Sequence, residues 1–370
     1  MKSNTLAIHT PYQTPDAYGA LSMPVYHCDA FEFADAASMA DAFCGRTDAP
    51  DYSRVTNPTV IYLEKVVATL TEAKSVTAFS SGMAAISAAL FSLASSGRNI
   101  VASRHLFANT YELIGKTLPR FGVEARFVDL TDAEAVEKAV DSATCCIYVE
   151  TITNPQMEVA DLPVLSRIAH KAGAALVADT TMIPFTEFRA SELGVDVEVV
   201  SSTKYLSGGA TSLGGLVIDY GFSDDFTRTL KKEMLFNLGA YMTPHAAYMQ
   251  TLGLETLAAR YAVQSSNAVE LARRLQGVEG IAKVTYPGLE DNPFHEVCRR
   301  QFGPTAGAMI TIDLSDADAC FDFLNKLKVF HRATNLFDNR SLAIHPYSTI
   351  FGNLSPAQKV EMDILPTTIR

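Results

Sequence analysis

The chain has 370 residues, 48% apolar and 19% charged, a balance that buries enough surface to offset the entropy of ordering and so excludes intrinsic disorder. With domains of about 150 residues, it accommodates two domains and an appendage. Its 30 Lys and Arg against 41 Asp and Glu leave a formal charge of -11. A nucleic-acid backbone would be repelled, and no DNA or RNA partner is expected.

The stretch from Met1 to Pro15 lacks the apolar segment of a secretory signal. The longest near-apolar run, Ala84 to Ala94, is interrupted by Ser87 and Ser92 and falls short of the roughly 20 residues that span a bilayer. These features predict a cytoplasmic protein with no membrane contact. The 6 cysteines have no CxxC spacing and the 8 histidines no HxxxH pair, so neither a metal site nor a structural disulfide is expected. The adjacent Cys145 and Cys146 read as core packing.

In chain order, residues 1–60 carry Pro, Gly and polar residues without periodicity and read as an extended N-terminal arm. From Ile61 short β-rich runs alternate with helical periodicity. The runs are Ser75 to Ser81, Asn99 to Ser103, Ala125 to Leu130, Thr144 to Thr151, Ala175 to Thr181, Val197 to Thr203 and Ser212 to Ile218. Strands separated by helices predict an α/β unit, a mostly parallel sheet with helices on both faces, over 61–245.

Between the strands, Thr131 and Glu134 make a capping box ahead of one helix, and Asp161 caps another that Gly173 closes. Met83, Ile86, Leu90 and Leu93 form a helical stripe that reads as packing. A long helical region is expected from Tyr248 to Leu275, followed by strands near Ala282 to Tyr286, Gly307 to Leu314 and Val329 to Ala333. That is the composition of a smaller α+β domain over 246–370.

In an open parallel sheet, ligands bind beyond the carboxyl ends of the strands, so the polar residues that close apolar runs deserve inspection. Four runs close in this way: on Ser80-Ser81-Gly82-Met83, on Glu150 to Asn154, on Asp179, and on Ser201-Ser202-Thr203-Lys204. Ser81, Gly82 and Met83 open a helix whose amides and dipole suit a phosphate, although an ordinary helix cap looks the same. No GxGxxG and no GxxxxGK[ST] occurs, so neither a dinucleotide nor a nucleoside triphosphate is indicated. A lysine at the end of an apolar strand is partly desolvated, which lowers its pKa and frees the amine for a Schiff base; snorkelling to the surface is the bland alternative for Lys204. Asp179 is either a helix cap or the buried carboxylate that keeps a pyridinium nitrogen protonated.

The strings Tyr52-Ser53-Arg54-Val55-Thr56-Asn57-Pro58-Thr59, Ser80-Ser81-Gly82-Met83-Ala84, Glu150-Thr151-Ile152-Thr153-Asn154-Pro155, Ala178-Asp179-Thr180-Thr181 and Ser201-Ser202-Thr203-Lys204-Tyr205 carry a further signal. In this order they resemble the signatures of the Cys/Met-metabolism enzymes that use pyridoxal 5'-phosphate and share the fold-type I aminotransferase architecture.

The resemblance implies that Lys204 binds the cofactor covalently and then moves protons, that Asp179 pairs with the pyridine nitrogen, and that Asn154 bonds the ring hydroxyl. It implies that Ser81, Gly82, Met83, Ser201 and Thr203 hold the phosphate, and that Tyr52 and Arg54 reach the phosphate of a neighbouring subunit. The arm would then lie on that subunit in a homodimer with shared sites, commonly paired into a homotetramer. Ser341 and Arg370 match the positions that grip the carboxylate of an amino-acid substrate.

Two features depart from the family's pattern. Phe107 stands where many members carry a tyrosine stacked on the cofactor; it can stack but has no proton to give, and Tyr111 is one helical turn away. The chain also ends at Arg370 where relatives continue through a strand and a helix, which predicts a mobile arginine.

Ala210 to Gly215 and Arg340 to Pro346 resemble the O-acetylhomoserine sulfhydrylases, apart from Gly209 in place of a frequent histidine. The expected activity is therefore γ-replacement on O-acetyl- or O-succinyl-L-homoserine by sulfide or a thiol, and the alternative is a γ- or β-lyase acting on a sulfur amino acid. Two rival readings are a serine acyl enzyme built on Ser201-x-x-Lys204, which lacks the accompanying SDN and KTG strings, and a regulator that keeps the fold without turnover.

Overall fold

The computed structural model describes residues 3–11, 18–304 and 306–370. Seven strands form one sheet: β1 (Ser75–Phe79), β2 (Asn99–Ser103), β3 (Glu124–Val128), β4 (Thr144–Glu150), β5 (Ala175–Asp179), β6 (Val197–Val200) and β7 (Gly215–Asp219), in the spatial order β1-β7-β6-β5-β4-β2-β3. The five strands β2 to β6 run parallel, and β7 is antiparallel to both β6 and β1. This is the mostly parallel α/β sheet expected from the sequence.

Alternation along each strand sends side chains into two separate cores. On β4, Ile147 and Val149 join one cluster while Cys146 and Tyr148 join the other, so helices cover both faces, as the continuous apolar runs require. A smaller sheet of β8 (Lys283–Thr285), β9 (Thr311–Asp313) and β10 (Thr368–Ile369), in the order β10-β9-β8, has its own core around Ile312, Leu324 and Ile369.

Several local expectations are corrected. The N-terminal segment is not wholly extended, because helices form at Ser3–His9 and Ala36–Phe43, the second capped by Asp35; residues 12–17 of the expected arm lie outside the described residues. The cap ahead of Ala133–Ala139 is Asp132, whose carboxylate accepts the N–H groups of Glu134 and Ala135, whereas Thr131 donates its own hydroxyl to Asp129. The helical stretch Tyr248 to Leu275 is two helices, Pro244–Glu255 and Leu257–Leu275, with Thr256 between them. No strand forms over 329–333; a single bridge joins His331 to Leu342. Asp161 caps Leu162–Lys171 as expected, and Gly173 follows at φ +69, a left-handed position that suits glycine.

Candidate active site

The two carboxylates at the sheet's carboxyl end are neighbours by register. Glu150 closes β4, Asp179 closes β5, and the two are paired positions on adjacent parallel strands. Asp179 Oδ1 accepts the N–H of Thr181 at 2.9 Å, and Tyr148 donates its hydroxyl to Asp179 Oδ2 at 3.3 Å. Burial raises the Asp179 carboxyl above its ordinary range, opposed by those hydrogen bonds and by the charge of Lys204. Burial and the adjacent Asp179 push Glu150 well up.

Lys204 follows β6 by four residues. Its Nζ donates to Asn335 Oδ1 at 3.3 Å, and burial, with the nearby positive charge of Arg370, lowers its pKa, against the pull of Asp179. The depressed amine is therefore poised to act as a nucleophile or base. Arg370 is paired within the chain. Its N–H and C=O each pair with Ile344, at 3.0 and 3.1 Å, because β10 sews the preceding two residues to β9. Its guanidinium donates to Asn154 Oδ1 at 3.4 Å and to the Asn335 carbonyl at 3.0 Å, and burial lowers it to about 10.

On the other flank, Ser81 caps the helix Gly82–Leu93 by accepting the N–H of Ala84 at 3.1 Å. A Cβ added at Gly82 would lie 2.7 Å from the Cβ of Ser201, and one at Gly215 2.1 Å from the carbonyl oxygen of Ser81. The helix terminus thus meets the end of β6 at a distance that only glycine permits, leaving free amides over a hydroxyl: a cradle suited to a phosphate. Thr203 Oγ1 donates to the Gly214 carbonyl at 3.1 Å and accepts the Gly214 N–H at 3.0 Å, so it must redirect its proton to serve an anion.

Phe107 precedes the helix Ala108–Glu112, and its N–H donates to Glu150 Oε1 at 2.6 Å. Tyr111 does not stand in for a tyrosine at 107: its hydroxyl donates to Glu361 at 3.1 Å and its ring stacks on Phe127.

The structure brings Lys204, Asp179, Asn154 and Arg370 into one connected set, with Gly82 against Ser201 beside it. It does not bring Tyr52 and Arg54 there within the chain. Tyr52 is 43% exposed, and Arg54 donates to the Phe236 carbonyl and lies over the Tyr52 ring. Ser341 is exposed and, with Arg370 and Asn335, lines a cavity of about 710 Å³ whose other walls include Leu271, Ile312 and Phe330. Lys204 and Asp179 do not line it.

Sequence reasoning missed Asn335, Glu150 as an acceptor, and Tyr148. Glu150 closes an apolar run and so could have been found there; Asn335 sits in an irregular loop that carries no local signal. The fit to pyridoxal phosphate is good on the residues alone: a glycine-only cradle, an enclosed carboxylate and a desolvated lysine at one sheet end.

The whole chain from residue 4 to 370 matches the model of the Cys/Met metabolism PLP-dependent enzymes. The chain belongs to that family. It is a pyridoxal-phosphate-dependent enzyme of fold-type I. A solved O-acetylhomoserine (thiol)-lyase assignment from Campylobacter jejuni subsp. jejuni, carrying a pyridoxyl-lysine phosphate, superposes at a TM-score of 0.96 and 31% identity over 100% of this chain and 95% of that one. The O-acetylhomoserine sulfhydrylase of Wolinella succinogenes is 42% identical with a TM-score of 0.76, covering 85% of this chain and 91% of its own. An L-methionine gamma-lyase of Pseudomonas putida is 34% identical over 99% of this chain and 92% of its length. Among the described residues no helix is long and apolar enough to cross a membrane.

Proposed function

We propose that the protein is a cytoplasmic sulfhydrylase that replaces the acyl group of O-acetyl- or O-succinyl-L-homoserine with sulfide or a thiol, giving homocysteine or methionine. The observation that carries this choice is the absence of a phenolic proton where Phe107 stands, with the Tyr111 hydroxyl committed to Glu361. Expelling a thiolate from Cγ benefits from an acid at that point, whereas a carboxylate is already a weak base and leaves without one. A γ- or β-lyase is the second reading, supported by the similarity to a methionine gamma-lyase.

In this reading Lys204 Nζ would hold the cofactor and Asp179 would pair with its pyridine nitrogen, with Asn154 available to its ring hydroxyl and Phe107 to its ring. Ser81, Gly82, Met83, Ser201 and Thr203 hold the phosphate. Bound there, pyridoxal phosphate supplies an electron sink for carbanions at the substrate's Cα and Cβ. Lys204, whose pKa is lowered by burial and by Arg370, takes the Cα proton and returns it. Arg370 and Ser341 bind the substrate carboxylate, and the Arg370 fork would exchange its Asn335 carbonyl partner for it.

Tyr52 and Arg54 serve the site of a partner subunit in a homodimer with shared sites, paired into a homotetramer. We also propose the division into an arm over 1–60, a cofactor-binding domain over 61–245 and a smaller domain over 246–370. Purified protein given O-acetylhomoserine and sulfide should form homocysteine. If it instead forms a 2-oxo acid and ammonia from methionine or cystathionine and no homocysteine, the lyase reading replaces this one.

A further inference from the structure

Phe107, Asn154 and Asp179 come from three separate segments, and one carboxylate lies where they meet. Glu150 is 6% exposed and stands in register with Asp179. Its Oε1 accepts the Phe107 N–H at 2.6 Å, and the backbone N–H of Asn154 lies near its carboxylate. A second carboxylate repeats the tie farther along. Glu158 Oε2 lies 2.6 Å from Nδ1 of His105, whose Nε2 is 2.8 Å from Asp363. The loop bearing Phe107 is thus tied to the end of β4 and, through His105 and Glu158, to the segment just after Asn154.

We propose that Glu150 is a positioning residue that sets Phe107 in its place about the cofactor ring by accepting its backbone N–H, with the turn that bears Asn154 packed alongside. This rests on the assignment of Phe107 and Asn154 to the ring made above. The chemistry of the donor set is the reason for a carboxylate. An inward N–H group needs an acceptor, which the carboxyl oxygen provides; a glutamine would bring an NH₂ that must find an acceptor of its own. The placement is costly by itself, because the groups nearest Glu150 are Asp179 on β5 and Tyr148 on its own strand, whose hydroxyl is already on Asp179. Lys204, the positive charge that acts on Asp179, and Arg370, bonded to Asn154, belong to the same connected set. A buried carboxylate beside a second one is retained where its acceptor oxygen is needed.

The experiment titrates cofactor-free protein with pyridoxal phosphate and reads the dissociation constant and the visible circular dichroism per bound cofactor, for wild type, Glu150→Gln, Glu150→Asp and Glu158→Gln. Glu150→Gln loses one acceptor and Glu150→Asp retreats by one methylene. Both are expected to bind roughly tenfold more weakly and to show a diminished dichroic band at saturation, with Glu158→Gln changed in the same direction but less. Wild-type affinity and an unaltered band in the Glu150 variants would overturn the proposal. Should those variants not fold, Glu158→Gln decides, an unaltered band again overturning it. Failure of the wild type to bind the cofactor would instead overturn the assignment of the site.

Discussion

The carboxyl end of the seven-stranded sheet and the segment 18–57 spend their side chains in opposite ways. At the sheet end, Glu150 is enclosed, Lys204 is depressed and Asp179 raised, and Asp179 and Lys204 are hydrogen-bonded to Tyr148 and Asn335, distant parts of the chain. In the N-terminal segment, Leu21 is 98% and Phe43 55% exposed, and the described helix is a short one at Ala36–Phe43. One region obtains its chemistry from burial within the chain. The other displays exposed apolar side chains, which suits contact with a second copy.

The largest effect that tests this contrast is expected at the sheet end. Lys204→Ala should lower turnover at least about a thousandfold and abolish the visible absorbance of bound cofactor; a variant that keeps both would break the account of the site.

Next comes the sharing of sites. Arg54→Ala alone should be nearly inactive, yet mixing it with Lys204→Ala and allowing subunits to exchange should restore up to about a quarter of wild-type activity, because random pairing leaves one intact site in half of the dimers. No recovery would return Arg54 to a role within its own chain.

A smaller change sharpens the assignment of chemistry. Phe107→Tyr supplies the missing phenol and should raise elimination from methionine by roughly tenfold or more, measured as 2-oxobutyrate release; an unchanged rate would remove the argument for an acyl leaving group.

The smallest expected effect concerns stability. Glu198 is fully buried, accepts the hydroxyls of Thr180 and Tyr220, and is held up at about 7 by burial. A raised carboxyl favours its neutral form, so its contribution is fully present below the unfolded value near 4.5 and is lost as pH rises through about 7. The melting temperature of the wild type should therefore drop by a few degrees more than that of Glu198→Gln between about pH 5 and pH 8; parallel curves would show that Glu198 stays ionised throughout.

Much of the fold was legible because the strands of a sheet covered on both faces are short continuous apolar runs, and all seven called runs became strands with ends shifted by a few residues. The one run mispredicted near the C-terminus failed for a local reason. Val329 to Ala333 has strand-like composition but meets only Leu342 through one bridge, so no ladder holds it. Thr131 lost the cap to Asp132 because a carboxylate one residue nearer serves two N–H groups at once.

The site was legible wherever a residue ended a strand: Asp179, Asn154, Lys204 and the Ser81-Gly82 turn all announce themselves by polarity after an apolar run. Asn335 was not, since its contact with Lys204 spans 131 positions and no periodicity encodes it.

By itself the amino-acid order determined the strands, the glycines and the chemistry gathered at one sheet edge, since these follow from local periodicity and residue type. Only the tertiary structure decided that Arg370 pairs with Ile344, that Tyr111 answers to Glu361, and that Glu150 accepts the Phe107 N–H. Each of these depends on which distant groups share a buried space, and burial is a property of the folded whole.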